Sequence, residues 1–285
     1  MDKVKLEDYT WPEVQESLRT GLVDTVVITI GSTEQHGPHL PLATDALLAQ
    51  AVGEELAKRL GRALLAPPVR VGCSDHHMAF AGTISIQQET LASILRDYVV
   101  SLARHGFRNV VLVPTHGGNF RPVAAIVGAL KDTVPQTNVV AYTSLESFIQ
   151  TISAASSEFG VPPEAAGGHA DETETSLILA LRPDLVHMER AVAGYVGSTE
   201  SIASILFARG MPALADDFGS DALANLAIGR SIERKREVRM RVHVDESRGN
   251  HQSRHVDDPI RLCGRQIVDR SDGVSFHSHV TVDCS

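Results

Sequence analysis

Apolar residues along this chain fall into two rhythms: short β-branched runs, and longer stretches with the period of about 3.6 residues that marks a helix. Val26-Val27-Ile28-Thr29-Ile30 shows no polar alternation, the pattern of a strand buried on both faces. Asn109–Val113 is a second run of that kind, and Ala63–Val71 and Asn138–Tyr142 supply two further strands. Helical spacing fills the gaps from Thr44 to Leu60, from about Gln88 to His105 and from Arg121 to Leu130. An earlier helix starts after Thr10, with Pro12 in its first turn and Glu13 completing a capping box, and stops at Gly21. Ser144–Pro163 reads as a helix and a mobile loop, and an apolar helix runs from Leu177 to Leu181. Strands separated by helices predict right-handed crossovers and a mainly parallel central sheet, an α/β chain of three αβα layers.

The pattern changes toward the C-terminus. Ser220 to Glu233 has helical spacing, and Val238, Met240, Val242 and Val244 alternate with polar residues, as in a strand with one wet face. Asp272-Gly273 separates Arg265–Arg270 from Val274–Val282, which suits a β-hairpin. Residues 1–250 are expected to form one domain. Residues 251–285 are expected to add a C-terminal β element, packed on that domain or on a neighbouring subunit. His251, His255, His277 and His279 lie in this extension without metal-ligand spacing and read as surface residues.

The polar residues of interest sit where strands end. Gly31 to Asp45 reads GSTEQHGPHLPLATD and leaves the first core strand at its carboxyl end, where open α/β sheets bind ligands. Glu34, His36 and Asp45 offer oxygen and imidazole donors without a thiolate, a set suited to Zn²⁺, Mn²⁺ or Fe²⁺. The next core strand breaks into Pro114-Thr115-His116-Gly117-Gly118-Asn119. A third cluster, Gly167 to Ser176, reads GGHADETETS and opens the last apolar helix. One polar loop of this composition is common on a protein surface. Three of them beside glycines, which let backbone approach a ligand closely, point to a metal.

Together these segments resemble the creatininase family of metal-dependent amidohydrolases. A fourth, Gly72 to Thr83 (GCSDHHMAFAGT), is similar to the family's loop ending in a Phe-Pro-Gly-Thr-like tetrad. The resemblance runs from about Thr25 to Asp184 and fades beyond. It implies that Glu34, His36 and Asp45 are metal ligands of the first loop, with Asp45 bridging two ions, and that His116 is the ligand after the next strand. Creatininase itself has a Glu two residues after that His, where this chain has Gly118; Glu174 is the implied replacement. The resulting sets are Glu34, Asp45 and His116 on one ion, and His36, Asp45 and Glu174 on the other. His169 matches the family's proton donor, with Asp171 or Glu172 to orient it. His169 and Glu172 are therefore the candidate catalytic residues, although Glu172 also suits a first-turn carboxylate favoured by the helix dipole.

Two divalent ions about 3.5–4 Å apart can share a hydroxide and polarise a carbonyl. Zinc is the first expectation, manganese and iron the next. A His with a pKa of about 6.5 can protonate the departing nitrogen. The expected activity is hydrolysis of the C–N bond of a small cyclic or linear amide. The alternatives are a peptidase acting on a short or modified peptide, since the family's mycofactocin-precursor peptidases carry a similar Glu-Thr-Ser loop, and a non-catalytic metal-binding scaffold. Retention of every proposed ligand together with His169 argues against the scaffold. Creatinine is not the expected substrate, because creatininase uses tryptophans in a lid and this chain has only Trp11. Ala43, Ala81 and His76 also depart from the family pattern, His76 standing in place of a Glu. His76 and His77 face either the substrate or a neighbouring subunit.

Composition narrows the setting. The net charge of −9 argues against a nucleic-acid partner. No apolar run approaches the roughly 18 residues of a membrane span, and MDKVKLEDYTWPEV lacks the apolar core of a signal peptide. Cys73, Cys263 and Cys284 form no CxxC pair, so a reducing cytoplasm is the expected location. The resemblance further implies a closed homo-oligomer, a hexamer.

Overall fold

The computed structural model describes residues 3–161 and 168–191. The helix, strand and hairpin expected after Asp184's neighbourhood all fall outside the described residues. In chain order the main elements are α1 (Trp11–Arg19), β1 (Thr25–Ile30), α2 (Thr44–Leu60), β2 (Ala63–Leu65), α3 (Gln88–Arg104), β3 (Asn109–Pro114), α4 (Phe120–Thr133), β4 (Asn138–Ala141), α5 (Leu145–Glu158) and α6 (Glu172–Leu181). The strands form one parallel sheet in the order β2-β1-β3-β4.

Alternation of side chains along β1 explains its unbroken apolar run. Val26, Ile28 and Ile30 pack with Leu91, Leu95 and Val99 of α3 and Val123 and Leu130 of α4. Val27 points the other way, to Ala57 of α2 and to Leu65 and Val111. A strand covered by helices on both faces has no wet side on which to place polar residues. The result is the three-layer α/β architecture that the spacing predicts. Among the described residues no helix is long and apolar enough to cross a membrane.

Two elements differ most in extent from their expected spans, and α4 runs a few residues past its expected Arg121–Leu130. The strand after α2 ends at Leu65 rather than Val71, because Pro67 and Pro68 have no N–H to give to a ladder. Pairing resumes briefly at Val69, whose N–H donates to the Thr29 carbonyl at 2.9 Å. Helix α6 begins at Glu172, ahead of the expected Leu177, because the Asp171 side chain caps it by accepting from the Glu174 N–H at 2.9 Å.

The topology itself locates a crevice. β2 lies on one side of β1 while β3 and β4 lie on the other, so the strand order reverses between β1 and β3. In such sheets ligands bind beyond the carboxyl ends of the strands at that reversal. The register pairs Ile30 with Pro114, which sets the loops starting at Gly31 and Thr115 side by side.

Candidate metal centre

Close backbone contacts shape the crevice before any side chain enters it. A Cβ on Gly31 would lie 2.6 Å from the Asp45 carbonyl oxygen, so only glycine lets the first turn of α2 pack against the end of β1. Asp45 is thereby buried at the helix N-terminus, where the dipole favours a carboxylate. Asn119 ties the loops together. Its Oδ1 accepts from the Cys73 N–H at 3.0 Å, and its Nδ2 donates to the carbonyls of Ile30 at 3.2 Å and Gly31 at 2.9 Å.

The side chains singled out from the sequence converge here. His116 Nδ1 is 3.3 Å from Glu34 Oε1 and 3.1 Å from Asp45 Oδ2. His36 Nε2 is 3.4 Å from Asp45 Oδ1 and 3.7 Å from Glu174 Oε1. Donor atoms of Glu34, Asp45 and His116 lie within 4.8 Å of one another, and so do those of His36, Asp45 and Glu174. Asp45 belongs to both groups.

Hydrogen bonds on the outer side of each ring decide what its inner side offers. His36 Nδ1 donates to the Glu34 carbonyl at 3.2 Å, and His116 Nε2 donates to the Cys73 carbonyl at 3.0 Å. The neutral rings therefore turn lone pairs, not protons, toward the carboxylates. Both carboxylate oxygens of Glu34, Asp45 Oδ2 and His36 Nε2 are buried without a hydrogen-bond partner. Unpaired buried acceptors are costly, and cations would satisfy all of them. Protons can substitute. Burial alone would lower both imidazoles, but Glu34 foremost for His116 and Asp45 foremost for His36 outweigh it and hold the rings well above the usual histidine value. A metal would have to displace those protons.

A wall of imidazoles continues from the two ligand candidates. Ring centroids are 4.4 Å apart for His36 and His169, 4.5 Å for His169 and His77, 4.1 Å for His77 and His76, and 5.7 Å for His76 and His116. His169 Nε2 lies 2.8 Å from the Gln35 backbone carbonyl, to which it donates when protonated, and 3.0 Å from the Gln35 side-chain amide, with Nδ1 at 3.8 Å from Glu34 Oε1. Burial lowers the pKa of His169, with His36 adding to the effect. Burial also pushes His76 down to about 4, against the pull of Glu34.

Helix α6 brings Glu174 in. Ala170 has φ of 48°, in the left-handed region that L-residues with a Cβ rarely adopt, and its N–H donates to Glu174 Oε2. This strained corner places His169 and Glu174 on the same side. Glu172 turns elsewhere, its carboxylate accepting from Ser156 Oγ at 3.2 Å and Ser176 Oγ at 3.1 Å. Asp171 caps α6. His169 is bonded here by Gln35, whereas the expected partners Asp171 and Glu172 are bonded to other groups. Gln35, Asn119 and His39 are contributors that the motif reading left without a role. His39, fully buried, bonds Thr175 Oγ1 at 2.9 Å and fastens the first loop to α6.

Gly118 is also accounted for by packing. A Cβ there would lie 2.2 Å from the Cys73 carbonyl oxygen and 2.5 Å from His116 Nε2. The backbone that presents His116 leaves no room for a side chain at this position.

Comparison with known proteins gives a consistent picture. The sequence model of the creatininase family, described as creatinine amidohydrolase, matches residues 7–235, well past the Asp184 limit of the motif resemblance. The mycofactocin precursor peptide peptidase of Mycobacterium ulcerans is 36% identical over 220 residues, 73% of this chain and 79% of the relative. The creatinine amidohydrolase of Pseudomonas putida is 32% identical over 199 residues, 65% of this chain and 74% of that protein. A mutant creatininase of Zn–Zn type superposes with a TM-score of 0.56 at 31% identity, covering 67% of this chain and 77% of its own. A mutant creatininase complexed with creatine gives a TM-score of 0.60 at 28% identity, covering 69% and 80%.

Proposed function

The chain belongs to the creatininase family and is a hydrolase of carbon–nitrogen bonds, and from that premise we propose that it cleaves an amide bond of a short peptide at a centre of two divalent cations, zinc foremost. Glu34, Asp45 and His116 would hold one ion, and His36, Asp45 and Glu174 the other. The observation that carries this reading is the crowding of the His36 and His116 ring nitrogens against buried Glu34 and Asp45 oxygens that have no hydrogen-bond partner. When bound, such a pair supplies an activated water at neutral pH and polarises the scissile carbonyl.

The chain's own groups do the rest. Asp45 would contribute charge to both ions. The carbonyls of Glu34 and Cys73 hold His36 and His116 in the ligating tautomer. His169, steadied by the Gln35 carbonyl, takes a proton at Nδ1 from the attacking water and delivers it to the nitrogen that leaves as the C–N bond breaks. Glu172 has no part in these steps.

Support for a peptide comes from the 36% identity to the mycofactocin precursor peptide peptidase across 79% of that enzyme. The lone tryptophan, Trp11, lies on α1 and is 75% exposed, which does not suit an aromatic lid over a small ring. A second reading, a small cyclic or linear amide, is favoured by the 32% identity to the creatinine amidohydrolase of Pseudomonas putida. Zinc-loaded protein incubated with a library of short peptides, creatinine and other cyclic amides, with products read by mass spectrometry, tests the choice. Peptide cleavage is expected. Turnover of cyclic amides alone would install the second reading, and no turnover by protein carrying both ions would sink the hydrolytic proposal. A closed homo-oligomer, as a hexamer, is part of the proposal and is checked by light scattering.

A further inference from the structure

The imidazole wall contains more ligands than two ions need. Donor atoms of Glu34, His76 and His77 lie within 4.8 Å of one another, a group separate from those of His116 and His36 apart from its shared carboxylate. His77 Nε2 approaches Glu34 Oε1 to 3.4 Å, yet neither oxygen of Glu34 has a hydrogen-bond partner. His76 Nδ1 is likewise buried with no partner. Glu34 itself is completely buried. Close approach without hydrogen bonding, among one carboxylate and two imidazoles, is the arrangement of ligand edges around a cation such as zinc or cobalt.

We propose that Glu34, His76 and His77 form a third divalent-cation position beside the two-ion centre, His77 and His116 both facing Glu34 Oε1, at 3.4 and 3.3 Å. The inference rests on the two-ion reading and adds a weaker position to it. Weakness follows from three features. Both histidines are neutral ligands, and the only carboxylate is already committed to the first ion. A third dication also adds repulsion to the two beside it. Finally, the Gln35 amide donates to His77 Nδ1 at 2.9 Å, whereas ligation through Nε2 puts a proton on Nδ1. The amide must then turn its oxygen to that proton and give up the bond its Oε1 accepts from the Gly37 N–H at 2.9 Å.

The test uses full-length protein stripped by a chelator and titrated with Co²⁺, followed by visible absorption and by equilibrium dialysis with metal analysis. Wild type should take up two tight equivalents and then a third, weaker one. His76→Ala and His77→Ala should each keep the two and weaken the third by at least about 10–100-fold, the range seen for loss of even an outer metal partner. His76→Asn, a poor ligand of similar size, serves if alanine unfolds the loop. Saturation of the wild type at two equivalents would overturn the proposal, and so would a third equivalent that persists in the variants. Absence of the tight pair in wild type would instead overturn the two-ion reading.

Discussion

His116 Nε2 donates to the backbone carbonyl of Cys73 at 3.0 Å, and this one bond fixes what the ring presents to Glu34 and Asp45. Once the ring is neutral, its remaining proton stays on the outer side and Nδ1 is left as a lone pair facing two carboxylates 3.3 and 3.1 Å away. A structural histidine would reverse the arrangement and donate inward. His36 repeats the device with the Glu34 carbonyl. Two rings oriented this way by backbone, around carboxylates without donors, are organised for cations.

Metal content follows from the shared carboxylate. Wild-type protein purified without chelator should carry close to two divalent ions per chain. Asp45→Ala should lose both, because its oxygens face His36 and His116 alike. Glu174→Ala should lose mainly the ion shared with His36. Metal analysis of the three proteins checks this, and a full complement in Asp45→Ala would refute the bridging role.

His169 should separate chemistry from binding. His169→Ala is expected to retain both ions and the fold while kcat falls by about 10²–10⁴, the usual contribution of a proton-transfer group. Single-turnover rates beside metal analysis distinguish the cases. Loss of an ion would make His169 a ligand through Nδ1, and an unchanged rate would assign proton transfer elsewhere.

Much of the fold was legible because β1 and β3 are covered on both faces, so their apolar runs are unbroken and each ends abruptly in polar residues. α2 keeps the span Thr44–Leu60 that its period predicts, and Gly61 ends it in the left-handed cap conformation. Where local pattern and backbone chemistry disagreed, chemistry prevailed: Pro67-Pro68 cut β2 short despite apolar residues on both sides. The loops bearing Glu34, His36, Asp45 and His116 could be read because each follows or opens a regular element. The orientation of His169 could not be. Its partner, the Gln35 carbonyl, is a backbone group brought near only by the meeting of the first loop with the turn before α6. A motif records side chains, so Asp171 and Glu172 looked like the natural partners while one was capping a helix and the other bonding serines.

Gly118 offers a test of packing against ligand chemistry. Even Gly118→Ala would push a Cβ into the His116–Cys73 bond, with an expected loss of about 1–3 kcal/mol from overpacking and a fall in metal content. Gly118→Glu restores the residue of creatininase without the backbone that would present it. It should therefore fail to rescue metal binding in a Glu174→Ala background. Denaturant melts and metal analysis of both variants check the expectation, and a rescue would show that this loop can adopt the other ligand arrangement.

Acid sensitivity should trace in part to His39. The ring is fully buried and bonded to Thr175, and burial foremost, then His36, lowers its pKa to about 4. In the unfolded chain it titrates near 6.5. The sign follows directly: between these values the unfolded state binds the proton that the native state refuses, so its contribution is fully present above about pH 6.5 and is lost as pH falls toward 4. The span corresponds to about 3 kcal/mol. His39→Asn keeps a polar group for Thr175 but cannot titrate. Urea melts of chelator-treated wild type and variant across this range should show the wild type losing about 3 kcal/mol more than the variant, even if the variant starts lower. Parallel losses would mean that the acid sensitivity of the fold resides in other groups. A difference of the expected size would show that the joint between the first metal loop and α6 is held by a neutral imidazole, and that protonating it loosens the element that carries Glu174.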